Sequence, residues 1–419
     1  MISLEGEEGG RKVLHKNPSL RLVIIFFLLF PLLSGCWDSQ EIEQRATILA
    51  IGIDPASNKE ENQQSEGGIT HLDKNTAEPN EELIKVTAQI AVPGRIPLGP
   101  TQGQSSHNSV LIVQVVGHTI QDAMLNLQQQ VAYETFLGHL RIIVLNEKIA
   151  KKGTQRFNDF LRRNPQIRRT ASLAVSKEPA EDYMRLVPEL QRIPSLYLAD
   201  MVDNLSALGR FPPSFIGLFW TILSSKGQDP YLPYLTIKDK KSIQLSGLAY
   251  FRGDRMAGKT SPLEIGFYMA IRGIGRGGYS AFIKVPGKEE FVMVKAISRK
   301  TKVKVKLIDG KPHVDIKVRY ESEIEEKTSQ SIYINDSTII GKIQKETSNE
   351  VEKSLKKFIA KTQKAESDIF GFGEHVRAKY PKYWIKEIGT KENWKRVYKD
   401  ITYDVHVDTR IHRVGMKAK

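Results

Sequence analysis

The feature that most constrains this chain is a short apolar run that ends close to its only cysteine. Residues 22–33, LVIIFFLLFPLL, follow a segment with four basic side chains and lead through Ser34 and Gly35 to Cys36. A helix of this length rises about 18 Å, whereas the hydrocarbon core of a bilayer is about 30 Å thick. The run is therefore too short to anchor the chain by spanning a membrane, and its flanks are typical of a cleaved export signal.

Cys36 lies in the sequence Leu33-Ser34-Gly35-Cys36, which has the form of a lipobox, the site that a lipoprotein signal peptidase cleaves. Small side chains before the cysteine let a peptidase approach the backbone, and a thiolate is a strong nucleophile for accepting a lipid. We expect residues 1–35 to be removed and Cys36 to carry a diacylglycerol lipid, whose two acyl chains hold a protein stably at a membrane. An ordinary buried cysteine is the alternative, but the position, the basic flank and the uniqueness of the thiol argue against it.

A single cysteine also limits the chemistry of the rest of the chain. It excludes an internal disulfide framework and any zinc site built on two or more thiolates. With 419 residues the chain is too long for one hydrophobic core, so roughly two or three domains are expected. The net charge of +14 favours an anionic membrane surface, nucleic acid or an acidic protein as partner. For an exported, lipid-anchored chain we expect membrane lipid and no nucleic acid.

The spacing of apolar residues predicts a multi-domain fold of the α+β or mixed α/β class. After the signal peptide (1–35), strand-like and helix-like segments alternate, which predicts a layered α/β domain over residues 36–205. From Phe211 onwards, prolines separate short apolar pieces. We therefore expect a strand- and loop-rich middle domain over residues 206–296, which can merge with the domain that follows.

The last part of the chain, residues 297–419, combines a hairpin, a helix and a strand. Apolar and charged residues alternate on both sides of Asp309-Gly310, a dipeptide typical of a two-residue hairpin turn. A long amphipathic helix follows, capped by Asp336 or Ser337, and a half-buried strand closes the chain. We expect a C-terminal α+β domain in which the helix packs on an antiparallel sheet.

One stretch matches a nucleotide-binding motif. GDRMAGKT begins at Gly253, ends at Thr260 and fits the pattern GxxxxGK[ST], in which backbone N–H groups cradle phosphates. Pro262 falls where the helix of such a site should continue, and the surrounding residues have the pattern of an antiparallel hairpin. An exported chain also faces a compartment without a nucleotide pool. We therefore interpret the stretch as a hairpin turn and not as a nucleotide site.

Four polar residues of the last strand share one face, which allows a row of metal ligands: Asp404, His406, Asp408 and His412. We favour the simpler interpretation, a solvated polar face. The chain has no HExxH or GxSxG motif. We therefore identify no catalytic residue, no metal site and no cofactor other than the lipid on Cys36.

Residues 380–398 interleave aromatic side chains with lysines. In a cytosolic protein this pattern would suggest nucleic-acid binding. Outside a membrane, we interpret Trp384 and Trp394 as part of a satellite core. A face for a protein partner or for lipid headgroups is the alternative.

Several segments, in this order and behind a lipobox, resemble the Ger(x)C-type spore germination lipoproteins, the C subunits of nutrient germinant receptors. The similarity covers nearly the whole chain after residue 35. The segments that carry it are GCWDSQEIEQRATILAIGID (35–54), LGHLRIIVLNEKIAKKG (137–153), DFLRRNPQIRRTASLAVSKEPAEDY (159–183), LSGLAYFRGDRMAGK (245–259), SDIFGFGEHVRAKYPKYW (367–384) and IHRVG (411–415).

This resemblance implies a lipoprotein on the outer face of the spore inner membrane. It would act with two integral-membrane subunits to convert nutrient sensing into germination, without catalytic activity of its own. Cys36 is the one functional residue that carries over from the family. Two other classes stay open: a solute-binding lipoprotein of a transporter, which would need two α/β lobes, and an exported hydrolase that acts on cell wall or spore cortex.

Overall fold

The computed structural model describes residues 23, 44–57, 82–93, 109–186, 193–239, 242–275, 277–329, 334 and 337–413. The described residues from Ala46 onwards belong to one compact unit. Within the described part of the chain, no helix is both long and apolar enough to cross a bilayer. The predicted lipobox, including Leu33, Ser34, Gly35 and Cys36, lies outside the described residues and stays a prediction.

A first sheet occupies the N-terminal part of the described chain and contains nine strands there. They are β1 (Arg45–Pro55), β2 (Ile84–Ala91), β3 (Val110–Gly117), β4 (Glu134–Phe136), β5 (Ile142–Asn146), β6 (Ser172–Ser176), β7 (Tyr231–Lys238), β8 (Ser242–Arg252) and β9 (Arg255–Lys259). The order is β3-β2-β1-β5-β6-β7-β8-β9, with β4 paired to β1. Strands β1, β5, β6 and β7 are parallel, and β2, β3, β8 and β9 join them antiparallel.

Helices cover both faces of this sheet, because its central strands are apolar on both sides. They are α1 (Ile120–Gln128), α2 (Glu147–Lys152), α3 (Gln155–Arg163), α4 (Ala180–Arg185), α5 (Pro194–Ala207) and α6 (Ile216–Leu223). In β5, Ile143 and Leu145 belong to the apolar cluster of α1, α2, α3 and α6, whereas Ile142 and Val144 belong to that of α4 and α5. The resulting three layers confirm the predicted layered α/β arrangement.

A second sheet has the order β10-β11-β12-β13. Its strands are β10 (Ser280–Lys284), β11 (Phe291–Ile308), β12 (Lys311–Lys327) and β13 (Thr402–Arg413). The helices around it are α7 (Pro262–Arg272), α8 (Ser337–Lys364), α9 (Phe372–Lys379), α10 (Pro381–Tyr383), a π-helical turn (Trp384–Ile388) and α11 (Lys391–Asp400). Asp309 and Gly310 have φ values of 48° and 74°, which confirms the predicted two-residue turn between β11 and β12.

The C-terminal part follows the expected α+β plan with one difference. On α8, Ile343, Thr347, Leu355 and Phe358 are buried, as the amphipathic pattern predicts. Strands β10, β11 and β12 are antiparallel, but β13 pairs parallel to β12, so the sheet is mixed. The reason lies in the connection: α8 and the shorter helices carry the chain back to the end of the sheet where β12 begins, which permits a parallel pair.

The two sheets share part of their core. One apolar cluster contains Tyr231 and Leu248 of the first sheet, Tyr268 of α7, Val318 of the second sheet and Phe358 of α8. These residues come from both sides of the expected boundary between the middle and C-terminal domains. The molecule is thus a mixed α+β fold with two sheets, which confirms the predicted class, while the domain limits stay predictions.

Candidate functional site

The stretch GDRMAGKT forms the turn and second strand of the β8–β9 hairpin, as predicted. Gly253, with φ of 65°, occupies the turn. Lys259 donates from Nζ to the hydroxyl of Tyr234 (2.9 Å), and the Thr260 hydroxyl accepts from a backbone N–H of β8 (2.8 Å). Pro262 is the first residue of α7 and does not break a helix that began earlier. The protein itself thus engages the lysine and the threonine.

The four predicted polar residues of β13 are exposed, which confirms the predicted polar face: Asp404, His406, Asp408 and His412. Two of them contact charged side chains of the neighbouring strand β12. Asp408 Oδ2 lies 3.0 Å from Nε of Arg319, and His412 pairs with Glu321. This part of the row therefore consists of solvent-exposed contacts between β13 and β12.

Asp404 differs from the other three residues of the row, because it lies near two residues of β12, His313 and Asp315. Nε2 of His313 lies 3.5 Å from Asp315 and 3.4 Å from Asp404, so the three side chains could surround one cation. However, Nζ of Lys306 lies 2.6 Å from Asp315 Oδ2 and lowers the pKa of that carboxyl group. A lysine thus already supplies the positive charge that a metal ion would bring.

The aromatic side chains of residues 380–398 divide between core and surface. Trp384 and Trp394 are buried with their ring centroids 5.6 Å apart, which confirms the core interpretation. Ile385, between the two, is 77% exposed. The lysines of this segment therefore surround a core cluster. The alternation of aromatic residues and lysines in the sequence reflects one buried face of the π-helical turn and of α11.

A surface cleft of about 490 Å³ lies at the edge of the first sheet where β5 and β6 begin. Arg141 and Arg168 line it together with Asp203. Arg141 is half exposed and lies 3.4 Å from Asp200 and 3.7 Å from Asp203. The guanidinium therefore already has carboxylate partners.

A pair of buried carboxylates, which we call the carboxylate junction, joins segments far apart in sequence. Asp229 and Asp368 are each 1% exposed. The Asp229 N–H donates to the Asp368 carbonyl (2.8 Å), and the Asp368 N–H donates to Oδ2 of Asp229 (3.1 Å). The loop before β7 and the loop after α8 are thereby fixed to each other.

Asp368 organises the glycine-rich loop IFGFG that follows it. Its carboxylate accepts from the N–H groups of Gly371 (2.8 Å) and Gly373 (2.9 Å) and from Nε1 of Trp394 (3.0 Å). Gly371 has a φ of 73°, which favours glycine. A Cβ on Gly373 would lie 2.5 Å from Nε1 of Trp394. The loop thus needs glycine at both positions to wrap around the carboxylate.

Asp229 connects the junction to the β8–β9 hairpin and to α11. Its Oδ1 accepts from the N–H of Gly253 (2.8 Å) and lies 3.5 Å from Nζ of Lys391. Burial lowers the pKa of Lys391, while Asp229 opposes this effect. The glycine of the phosphate-binding pattern therefore serves as a hydrogen-bond donor within the fold.

Burial raises the pKa of Asp368 to about 7, against the opposing effect of its N–H donors, and the nearby Asp229 raises it further. A carboxyl group in this position can take up or release one proton near neutral pH. Because both carboxylates are buried, protonation of Asp368 can be coupled to the contacts that join the loop before β7, the loop after α8 and α11. Its geometry suits a structural or conformational role.

Sequence reasoning identified neither member of the carboxylate junction. Asp368 lies within the 367–384 segment of the family resemblance, and its two nearby glycines were the available signal. Asp229 gives no such signal, because its role depends on a contact with a residue 139 positions away.

Comparisons with known proteins cover both halves of the chain. The family described as "Spore germination protein N-terminal domain" matches residues 38–237. The family described as "Spore germination B3/GerAC like, C-terminal" matches residues 246–415. Together these matches include most of the chain.

Individual relatives agree with this result. Spore germination protein KC of Bacillus subtilis (strain 168) is 26% identical, with 94% of this chain and 96% of the relative covered. Spore germination protein B3 of the same organism is 21% identical over 94% of this chain and 98% of the relative. The crystal structure of the GerBC protein superimposes with a TM-score of 0.53 at 18% identity. The superposition covers 80% of this chain and 95% of the GerBC chain, and it shows the same fold. The chain therefore belongs to the Ger(x)C-type family of spore germination proteins, the family of germinant-receptor C subunits.

Proposed function

We propose that this chain is a lipid-anchored, non-enzymatic subunit of a spore nutrient germinant receptor. Cys36 carries the lipid, and the folded part lies on the outer face of the spore inner membrane. There it acts with two integral-membrane receptor subunits to trigger germination. Membrane lipid and those two subunits are its partners.

The family match over both halves of the chain is the observation that carries this proposal. The lipobox supports the anchor, because a 12-residue apolar run is too short to span a bilayer and ends beside the only cysteine. The buried polar groups at the carboxylate junction support a role without catalysis, since their donors and acceptors bind one another. The phosphate-binding pattern offers no free lysine or threonine.

Replacement of Cys36 by alanine tests the proposal in spores. We expect Cys36→Ala to release the protein from the membrane fraction and to impair germination by nutrients, measured as the loss of optical density after nutrient addition. Ser39→Ala, three residues away, keeps the thiol and serves as the control. A Cys36→Ala protein that stays membrane-bound and supports normal germination would contradict the proposal.

A further inference from the structure

A row of polar side chains crosses the buried face of the second sheet. Arg299 of β11 pairs in register with Tyr320 of β12, and Tyr320 pairs with Thr409 of β13. Their exposed fractions are 8%, 8% and 3%. On both sides of the row the same face is apolar, with Val318 on one side and Val294 on the other. The polar row thus interrupts a hydrophobic core surface.

Arg299 is a buried cation, and no described residue gives it an anionic partner. Its Nη2 donates to the carbonyl of Ile274, but its Nε has no hydrogen-bond partner in the described part of the chain. The groups that influence its charge are the phenols of Tyr320 and Tyr279 and no carboxylate, and burial lowers its pKa. A buried charge without a counterion is strongly destabilising, so this position favours the binding of an anion.

A cavity of about 60 Å³ lies against this row and is bounded by α7, α8 and Tyr279. Thr409 also lines it, and its hydroxyl likewise has no hydrogen-bond partner among the residues that the structure describes. Among the described lining residues, the polar ones are Arg299 and hydroxyl-bearing side chains, none is acidic, and the apolar ones are Leu263, Phe267, Ala281, Val294, Ala296 and Val351. Since one water needs about 10–15 Å³, the space fits a small group of a few heavy atoms.

We propose that this cavity binds a small carboxylate anion, held by Arg299 and the hydroxyl of Thr409. The guanidinium group suits carboxylate recognition, because its N–H donors match the two carboxylate oxygens. The apolar walls suit a short hydrocarbon tail and disfavour a strongly hydrated inorganic anion. Burial raises the pKa of Tyr320 to about 12, so its phenol stays protonated at neutral pH and adds no competing charge. This inference does not rest on the proposed function.

Titration of the full-length protein in detergent with sodium acetate and sodium propionate tests the proposal. Acetamide, which has nearly the same shape as acetate without its charge, is the control ligand, and sodium chloride keeps the ionic strength constant. We expect saturable binding of one carboxylate per chain by calorimetry, together with a rise in the thermal unfolding midpoint. Acetamide and chloride should give neither effect.

Two variants assign the binding to the cavity. Thr409→Val keeps the shape of the side chain and removes one donor to a charged ligand, so we expect acetate affinity to fall about tenfold. Arg299→Met should abolish detectable binding, whereas Lys300→Met removes a charge from the opposite, exposed face and should leave binding unchanged. Unaltered acetate binding in Arg299→Met, or in Thr409→Val if the first variant does not fold, would overturn the proposal. Equal responses to acetate, acetamide and chloride would overturn it too, because they indicate a water-filled cavity.

Discussion

At the level of single residues, Asp368 shows how burial changes a carboxyl group. Its neighbours are backbone N–H groups, an indole and a second carboxylate, and its residue surface is only 1% exposed. Its pKa of about 7 compares with 3.8 for an ordinary aspartate. The stability of the fold should therefore depend on pH through this group.

The direction of that dependence follows from proton binding. Below about pH 4 the carboxyl group is protonated in both the folded and the unfolded chain. Between pH 4 and 7 the unfolded chain releases the proton while the folded chain keeps it, so the free energy of unfolding falls as pH rises, by up to about 1.4 kcal/mol per pH unit.

Asp368→Asn should flatten this dependence. We expect the variant to lose about 1–3 kcal/mol at low pH, since the amide NH₂ cannot accept from Gly373 and Trp394. The difference from wild type should shrink as pH rises from 4 to 7. Urea unfolding at several pH values measures it, with the exposed Asp400→Asn as control. A constant difference across this range would contradict the assignment.

At the level of elements, the structural features that depend on residues close together in the sequence could be predicted. The Asp309-Gly310 turn and the apolar stripe of α8 each depend on residues a few positions apart. The parallel pairing of β12 with β13 was not predictable, because it depends on how α8 returns the chain. The Arg299 row also escaped prediction, since it appears only when the register of three strands is known.

Two glycines of the C-terminal part should respond to alanine in opposite directions. Gly310 has a φ of 74°, so Gly310→Ala should lower the free energy of unfolding by about 1–2 kcal/mol. Gly341 is exposed within α8 and has open space around it, so Gly341→Ala should raise it by about 0.5–1 kcal/mol. Chemical unfolding of both variants checks the pair. Effects of the same sign would argue against either the turn or the helix.

At the level of the whole molecule, the two sheets are joined by the shared apolar cluster and by the carboxylate junction. The two family matches meet between residues 237 and 246, where β7 passes into β8 within one sheet. The β8–β9 hairpin thus belongs to the C-terminal match and to the first sheet. The limit between the two family matches therefore does not coincide with a limit between the two sheets.

Family membership could be recognised from the sequence, because the characteristic segments are spread along the whole chain. The contacts that hold those segments together could not, since the junction pairs Asp229 with Asp368 over 139 positions. The lipid anchor on Cys36 was also inferred from the sequence alone; it lies outside the described residues and stays a proposal.

The most direct measurement is the intact mass of the mature protein isolated from spore membranes. We predict a chain that begins at Cys36 and carries a diacylglycerol group on its sulfur. A bare thiol at residue 36, or a mature chain that retains residues 22–33, would contradict the account.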